Sequence, residues 1–288
     1  MDLAVVVLIQ ILYAIASLAL ISVGLAIIFG MMGIINFAHG EFLMMGGYAF
    51  ILSVGAGVNF WVAMLVIAPL TVGLLGVIIE RLIIRHLYGR IIESVLATWG
   101  LSLFLIGLAA TVLGYHQEGV APPFGNIEFG PYREGGYTFF VIGITVFILI
   151  LVYVALKYTK FGLIARGTMQ NADMASALGA GVNRVYAVTF GAGAALSGLA
   201  GAVLAPIAGV LPDIGVTYVI KAFITVIGGG AVALSGTGAA SILFGAVNQA
   251  VTFLTRPVVG EVALLVVAII LLRLLPNGIT GKYFRKGL

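Results

Sequence analysis

The chain has 288 residues, of which 62% are hydrophobic and 8% charged, with a mean hydropathy of +1.23 and a formal net charge of +4. Soluble domains average about 25% charged residues, so this composition excludes a water-soluble globular protein and places the chain among multi-spanning membrane proteins. With no cysteine, disulfides, thiolate nucleophiles and Cys-ligated metals are excluded as well.

A helix satisfies its own backbone in lipid and needs about 20 apolar residues to cross. Each long apolar run therefore predicts a helix, and the chain reads as an all-α, polytopic integral membrane bundle of 8–9 transmembrane helices, with broken or half helices near a pathway. Residues 1–288 form one integral membrane domain in this reading, since no polar segment is long enough for a soluble one. The first span runs from Leu3 to Phe29, with no Lys or Arg before it, so it is expected to be a retained helix rather than a cleaved signal. A short, Gly- and Met-rich second span covers Phe42 to Ser53, a third Phe60 to Ile79 and a fourth Ile92 to Leu113. Residues 114–136, with Pro122, Pro123, Pro131 and several glycines, predict an irregular loop. A fifth span covers Tyr137 to Leu156 and a sixth Val185 to Val210. The apolar run from Ile214 to Leu275 is interrupted at Gly228–Gly230, at Ser235–Gly238 and at Arg256-Pro257, which predicts two or three further crossings.

Short loops rich in Lys and Arg stay on the cytoplasmic side. Arg81, Arg85 and Arg90 mark one such loop; Lys157, Lys160, Arg166 and Arg184 mark a second; Arg273, Lys282, Arg285 and Lys286 mark the tail. The 114–136 loop, with one Arg and three Glu, then lies outside, one crossing from each basic loop. Three crossings before Arg81 put the N-terminus outside, and nine in all would put the tail inside. Orientation accounts for the basic clusters, so they do not indicate a nucleic-acid partner.

Two polar features stand out. GIINFAHGE, Gly33 to Glu41, gathers an amide, an imidazole and a carboxylate in an apolar neighbourhood. It reads either as a cytoplasmic turn with its polar groups in water or as a half-helix lining a path, because ionisable groups in a membrane face the bundle interior or a cavity. If helical, Asn36 and His39 would share a face and Glu41 would point elsewhere. The second feature is the basic stretch 157–184, where Met169 to Leu178 predicts an amphipathic helix stopped by Gly179, with Gln170, Asn171 and Asp173 on its polar face. It has few cations for a membrane-surface helix, which favours a protein partner. GAGAALSGLAGAVLA, Gly191 to Ala205, repeats small residues four apart, the spacing that lets helices approach closely in lipid, within this chain or between subunits.

Enzymatic motifs are absent from the sequence. Gly278 to Lys282 has the wrong spacing for a phosphate-binding loop, and His39, His86 and His116 lie in separate segments. No metal site or bound cofactor is expected on this chain.

Gly24 to Tyr48, LATWGLSL (Leu96 to Leu103), Lys160 to Val203 and VIGGG (Val226 to Gly230) together resemble the branched-chain amino acid permease family of ATP-driven bacterial importers, which also includes urea and short-amide permeases. The resemblance implies a multi-pass inner-membrane protein, not itself an enzyme. Its partners would be a second homologous permease subunit, two cytoplasmic ATPase subunits that bind ATP and Mg, a periplasmic solute-binding protein, and membrane lipid. It places Asn36, His39, Gly40 and Glu41 at or beside the translocation path, with Thr98, Gly228 and Gly229. The ATPase-docking loop falls on Arg166, Gln170, Asn171, Asp173 and Gly179. His39 and Glu41 are expected to satisfy each other or nearby backbone and hold a break that opens the second span. Branched-chain or other amino acids lead as solute, with urea or short amides close behind and a standalone channel as a remote alternative.

Overall fold

A computed structural model describes residues 2–230 and 233–284, so Arg285 and Lys286 of the basic tail lie outside the described residues. The membrane helices are α1 (Asp2–Met32), α2 (His39–Gly55), α3 (Phe60–Leu82) and α4 (Ile91–Leu113). They continue with α5 (Gly136–Tyr158), α8 (Val182–Ala208), α9 (Ile214–Gly229), α10 (Ala233–Leu254) and α11 (Pro257–Leu274). Two short helices, α6 (Lys160–Gln170) and α7 (Ala172–Ala177), lie between α5 and α8, and α12 (Gly278–Phe284) follows α11. Seven of the described helices are long and apolar enough to cross a membrane; α2 and α9, with 17 and 16 residues, are shorter. At 1.5 Å per residue these two span about 25 Å, less than the roughly 30 Å hydrocarbon layer.

Local chemistry sets the ends. α1 stops where Gly33 takes φ +64° and its N–H bonds Phe29 O at 2.9 Å, a left-handed closure that suits glycine. Asn59 caps α3 by accepting from Trp61 N at 3.0 Å. A π-turn at Ala63–Ile67 precedes Pro69, which has no N–H to give, and the widened turn absorbs the missing bond. The helix α11 opens with Pro257 directly after extended Arg256, as the Arg-Pro interruption predicts.

Two expectations need correction. The segment 114–136 is not wholly irregular: β1 (Asn126–Phe129) and β2 (Tyr132–Gly135) pair antiparallel across Gly130-Pro131, with Gly130 at φ +58°. Four-residue strands flanked by prolines carry too little periodicity to be read from sequence. Residues Ser235–Gly238 do not interrupt the chain but lie inside α10, because tertiary packing outweighs a glycine's weak helix propensity.

The described residues pack as two compact units. One comprises Met1–Ser22, Ala121–Ile150 and Lys221–Leu288; the other comprises Val23–Val120 and Leu151–Ile220. In the first, α11 packs closely on α10, since a Cβ on Gly260 would lie 2.0 Å from Thr252 Oγ1. Gly245 lets α10 approach α1 at Ile15. Gln249 Nε2 donates to Gln10 Oε1 at 3.1 Å, and Gln10 Nε2 donates to Glu134 Oε1 of the hairpin at 2.6 Å.

In the second unit α8 is central, and its small residues are used within the chain. A Cβ on Gly193 would meet Ile28 of α1 at 2.5 Å, one on Gly198 would meet Val72 of α3 at 2.7 Å, and one on Gly201 would meet Leu43 O of α2 at 1.8 Å. Backbone-close packing of this kind holds helices together where lipid offers no hydrophobic drive. Two contacts agree with the orientation read from charge. Tyr88 stacks edge-on against Tyr186 with centroids 4.8 Å apart, joining the first basic loop to the start of α8 beside Arg184. Glu118 and Val210 exchange backbone bonds of 3.0 and 2.8 Å, joining the acidic loop to the far end of α8.

Candidate functional site

The GIINFAHGE segment is a break between α1 and α2. Residues 33–38 are non-helical and α2 begins at His39. Asn36 therefore does not share a helical face with His39. Instead its Oδ1 accepts from Ala38 N at 3.1 Å and its carbonyl from His39 N at 3.3 Å, turning the chain into α2. The wet-turn alternative fails on burial: Asn36, His39 and Glu41 each have 0% exposure. His39 Nδ1 lies 3.2 Å from Ser197 Oγ, and Ser197 is near the middle of the 27-residue α8. The start of α2 is thus at mid-helix depth, well inside the roughly 40 Å that α8 spans.

A polar stripe on α4 faces the break. Ser94, Thr98 and Ser102 recur every fourth residue and are all buried. Thr98 Oγ1 accepts from Phe37 N at 3.1 Å and donates to Ser94 O at 2.8 Å, so it anchors the non-helical backbone directly. Gly40 allows a second close approach, since a Cβ there would lie 1.9 Å from Gly215 O at the start of α9.

Of the two partners expected for Glu41, neither His39 nor nearby backbone makes a hydrogen bond to it. Ser197 contacts His39 Nδ1, while both Glu41 oxygens lack a hydrogen-bond partner among the described residues, as do Asn36 Nδ2 and Tyr48 Oη. Ser102 is beside the carboxylate without adopting hydrogen-bond geometry. A donor amide and an acceptor carboxylate are thereby buried together with capacity to spare, an expensive arrangement in an apolar interior. Gly228 and Gly229 are elsewhere, in the first unit, where a Cβ on Gly229 would meet Gly236 backbone at 2.4 Å and one on Gly228 would meet the Phe244 ring at 2.8 Å. Their visible contribution is close packing of α9 on α10. Ser94, Ser102 and Ser197 were not identified from sequence, although the four-residue recurrence in α4 was a readable signal.

The docking segment also differs from expectation. One helix from Met169 to Leu178 is replaced by α6 and α7, separated at extended Asn171 (φ −156°, ψ 101°). Asparagine competes with helix backbone and prefers a cap, and Asn171 Oδ1 accepts from Met174 N at 2.9 Å. Gly179 does end the segment, at φ +87°. Arg166 folds back, donating to Gly162 O and Lys157 O at 3.3 Å each, while Gln170 and Asp173 are exposed. Between α6 and α7 is a groove of about 510 Å³ lined by Leu163, Ile164, Met174 and Leu178. Leu178 is 82% exposed, an open apolar surface that suits a protein partner. Among the described residues no cluster of three or more His, Cys, Asp or Glu could hold a metal.

Comparison with known proteins gives this geometry its context. The permease protein LivH of the high-affinity branched-chain amino acid transport system of Salmonella typhimurium is 28% identical to this chain, over 93% of this chain and 92% of LivH. LivH of Escherichia coli is 27% identical and BraD of Pseudomonas aeruginosa 29%, with the same coverages. Among solved structures, PsaBC from Streptococcus pneumoniae in complex with Fab aligns over 96% of this chain and 93% of that one, with a TM-score of 0.52 and 19% identity, a likeness of fold. The profile of the family described as branched-chain amino acid transport system / permease component matches residues 7–275, and the chain belongs to that family of multi-pass membrane permeases.

Proposed function

We propose that this chain is the permease subunit of an ATP-driven importer in the bacterial inner membrane and that it carries branched-chain amino acids. The relatives are named for those solutes, which favours them over urea or short amides. The observation that carries the reading is the mid-depth break with Asn36 Nδ2 and the Glu41 carboxylate buried and unpartnered. A passing solute satisfies these groups in turn, and Thr98 and Gly40 keep the break in shape. Because no phosphate-binding loop exists in the sequence, ATP and Mg belong to two partner ATPases, and this chain performs no catalysis. The ATPases engage the α6–α7 segment, a second homologous permease subunit completes the path, and a periplasmic receptor delivers solute. Direction comes from ATP-driven switching between states of unequal affinity, so binding at the break must be weak enough for release.

The test is uptake by the complete importer with its receptor in proteoliposomes. ATP-dependent uptake of labelled leucine, undiminished by excess urea, is expected. Urea uptake without leucine uptake, or leucine flux that needs no ATP, overturns the proposal. Asn36→Ala and Glu41→Ala should each lower leucine uptake with the subunits still co-purifying; unchanged uptake in both removes the break from the path.

A further inference from the structure

The first unit contains an intramembrane ion pair that the solute path above does not use. Lys221, midway along α9, donates from Nζ to Glu261 Oε1 of α11 at 2.6 Å. Neither residue is sealed in: their side chains are 26% and 45% exposed. Ionisable side chains in a membrane normally turn to the bundle interior, to a water-filled cavity or to a partner, because lipid cannot solvate them. A pair left partly exposed in this chain is of the kind that a cavity or a partner covers. The pair is also placed there by close packing, since Gly260, immediately before Glu261, brings α11 onto α10.

The chemistry narrows what covers it. The single Nζ–Oε1 bond leaves two ammonium N–H groups and Oε2 open. As a neutral pair it offers no net attraction to a lone cation or anion, but it presents a donor and an acceptor of opposite charge side by side. An α-amino acid carries the complementary arrangement, with carboxylate and ammonium on adjacent positions. Val258 and Leu265, three residues before and four after Glu261 on α11, share its face and are 73% and 41% exposed. They supply an aliphatic surface beside the charges.

We propose that Lys221 and Glu261 form a zwitterion-reading site distinct from the Asn36–Glu41 break. The substrate carboxylate takes a free N–H of Lys221, the substrate ammonium donates to Glu261 Oε2, and a branched side chain rests on Val258 and Leu265. The four charges then alternate, so no charge is left unpaired on binding or release. This rests on the amino-acid reading above and adds the groups by which the permease tells an amino acid from a neutral amide.

The experiment uses the receptor-free importer complex in nanodiscs, with leucine binding at millimolar concentration followed by saturation-transfer NMR. Wild type should bind leucine in competition with isoleucine. It should not be competed by urea, by 4-methylpentanoate or by isopentylamine, the last two keeping the aliphatic chain but only one charge. The neutral double variant Lys221→Met with Glu261→Leu avoids leaving a lone charge and should bind leucine about tenfold or more weakly, as expected for losing charge-assisted hydrogen bonds. Glu261→Gln, which keeps shape and an acceptor, should lose the preference for leucine over 4-methylpentanoate. Unchanged leucine binding in the double variant, or an unchanged preference in Glu261→Gln, overturns the proposal. So does loss of the partner subunits from both variants, which makes the pair a subunit contact. If wild type imports urea and not leucine, the amino-acid reading itself falls; leucine import by wild type with equal binding in the variants refutes only this site.

Discussion

Gly201→Ala tests whether the small residues of α8 are spent on packing within the chain. The new Cβ would lie 1.8 Å from Leu43 O, 2.6 Å from Leu43 C and 2.9 Å from its Cα, whereas ordinary contact begins at 3.4 Å. All three atoms are backbone, so no rotamer change relieves the clash and α2 must withdraw by about 1.6 Å locally, the shortfall from ordinary contact. A gap of about 0.5–1 Å already forfeits a quarter to a half of each dispersion well along the seam. Overpacking costs about 1–3 kcal/mol, and a backbone clash belongs at the top of that range. A penalty of about 3 kcal/mol is more than a hundredfold in the folded-to-unfolded ratio, with no hydrophobic drive in lipid to offset it. The control is Gly107→Ala on α4, where nothing lies within 4 Å of the added Cβ. That change should be neutral or stabilising by up to about 1 kcal/mol through helix propensity. Thermal midpoints of the detergent-solubilised protein, read by the fraction remaining monodisperse, should fall clearly for Gly201→Ala and not for Gly107→Ala. Equal midpoints would refute the argument, as would normal leucine uptake at full expression in Gly201→Ala.

Tyr88→Phe should destabilise the loop after α3 by about 1–3 kcal/mol, because Glu80 is buried, its Oε2 is unpartnered, and the Tyr88 hydroxyl is the donor to its Oε1. Burial first, and then the Glu80 hydrogen bond and charge, raise the Tyr88 phenol above its usual 10.0, so its contribution is whole below that pH and is lost as pH climbs past it. The midpoint difference between wild type and Tyr88→Phe should accordingly hold steady from about pH 6 to 9 and shrink above it; a difference that varies across the neutral range counts against the pair. Asn171→Ala removes the α7 cap at a cost of about 1 kcal/mol, and leucine imported per ATP hydrolysed should fall, with Asn171→Asp restoring it. Asp173→Lys should lower the same ratio, and normal coupling in both Asn171→Ala and Asp173→Lys removes this segment from ATPase docking.

How much of this was legible in the sequence depended on the kind of signal. Long apolar runs gave the first six spans to within a few residues, because spanning lipid requires both length and apolarity. Where two local preferences competed, the reading failed. Asn171 carries the polarity of a helix face but caps a helix instead, and Ser235–Gly238 has the composition of a turn yet lies inside α10. In both places the deciding term was the partner of the backbone: Met174 N for Asn171, and the Gly229–Gly236 approach for α10.

The site was legible as residue types and not as pairings. An amide, an imidazole and a carboxylate within six residues (Asn36 to Glu41) marked the break, but which group would satisfy which depended on helices far along the chain. Ser197, 158 residues after His39, contacts its Nδ1, and Glu41 is left without a hydrogen-bond partner among the described residues. The same limit hid Lys221 and Glu261. Each is a lone charge in an apolar run, a signal of function by itself, and the 40-residue separation conceals that they meet. Sequence position thus identified the polarity at Asn36 to Glu41, while tertiary packing decided whether that polarity was self-satisfied or open. At Glu41 and at Glu261 it was left open, and open acceptors inside a permease are positions at which a solute bearing an ammonium group gains a hydrogen bond on stopping and must give it up on leaving.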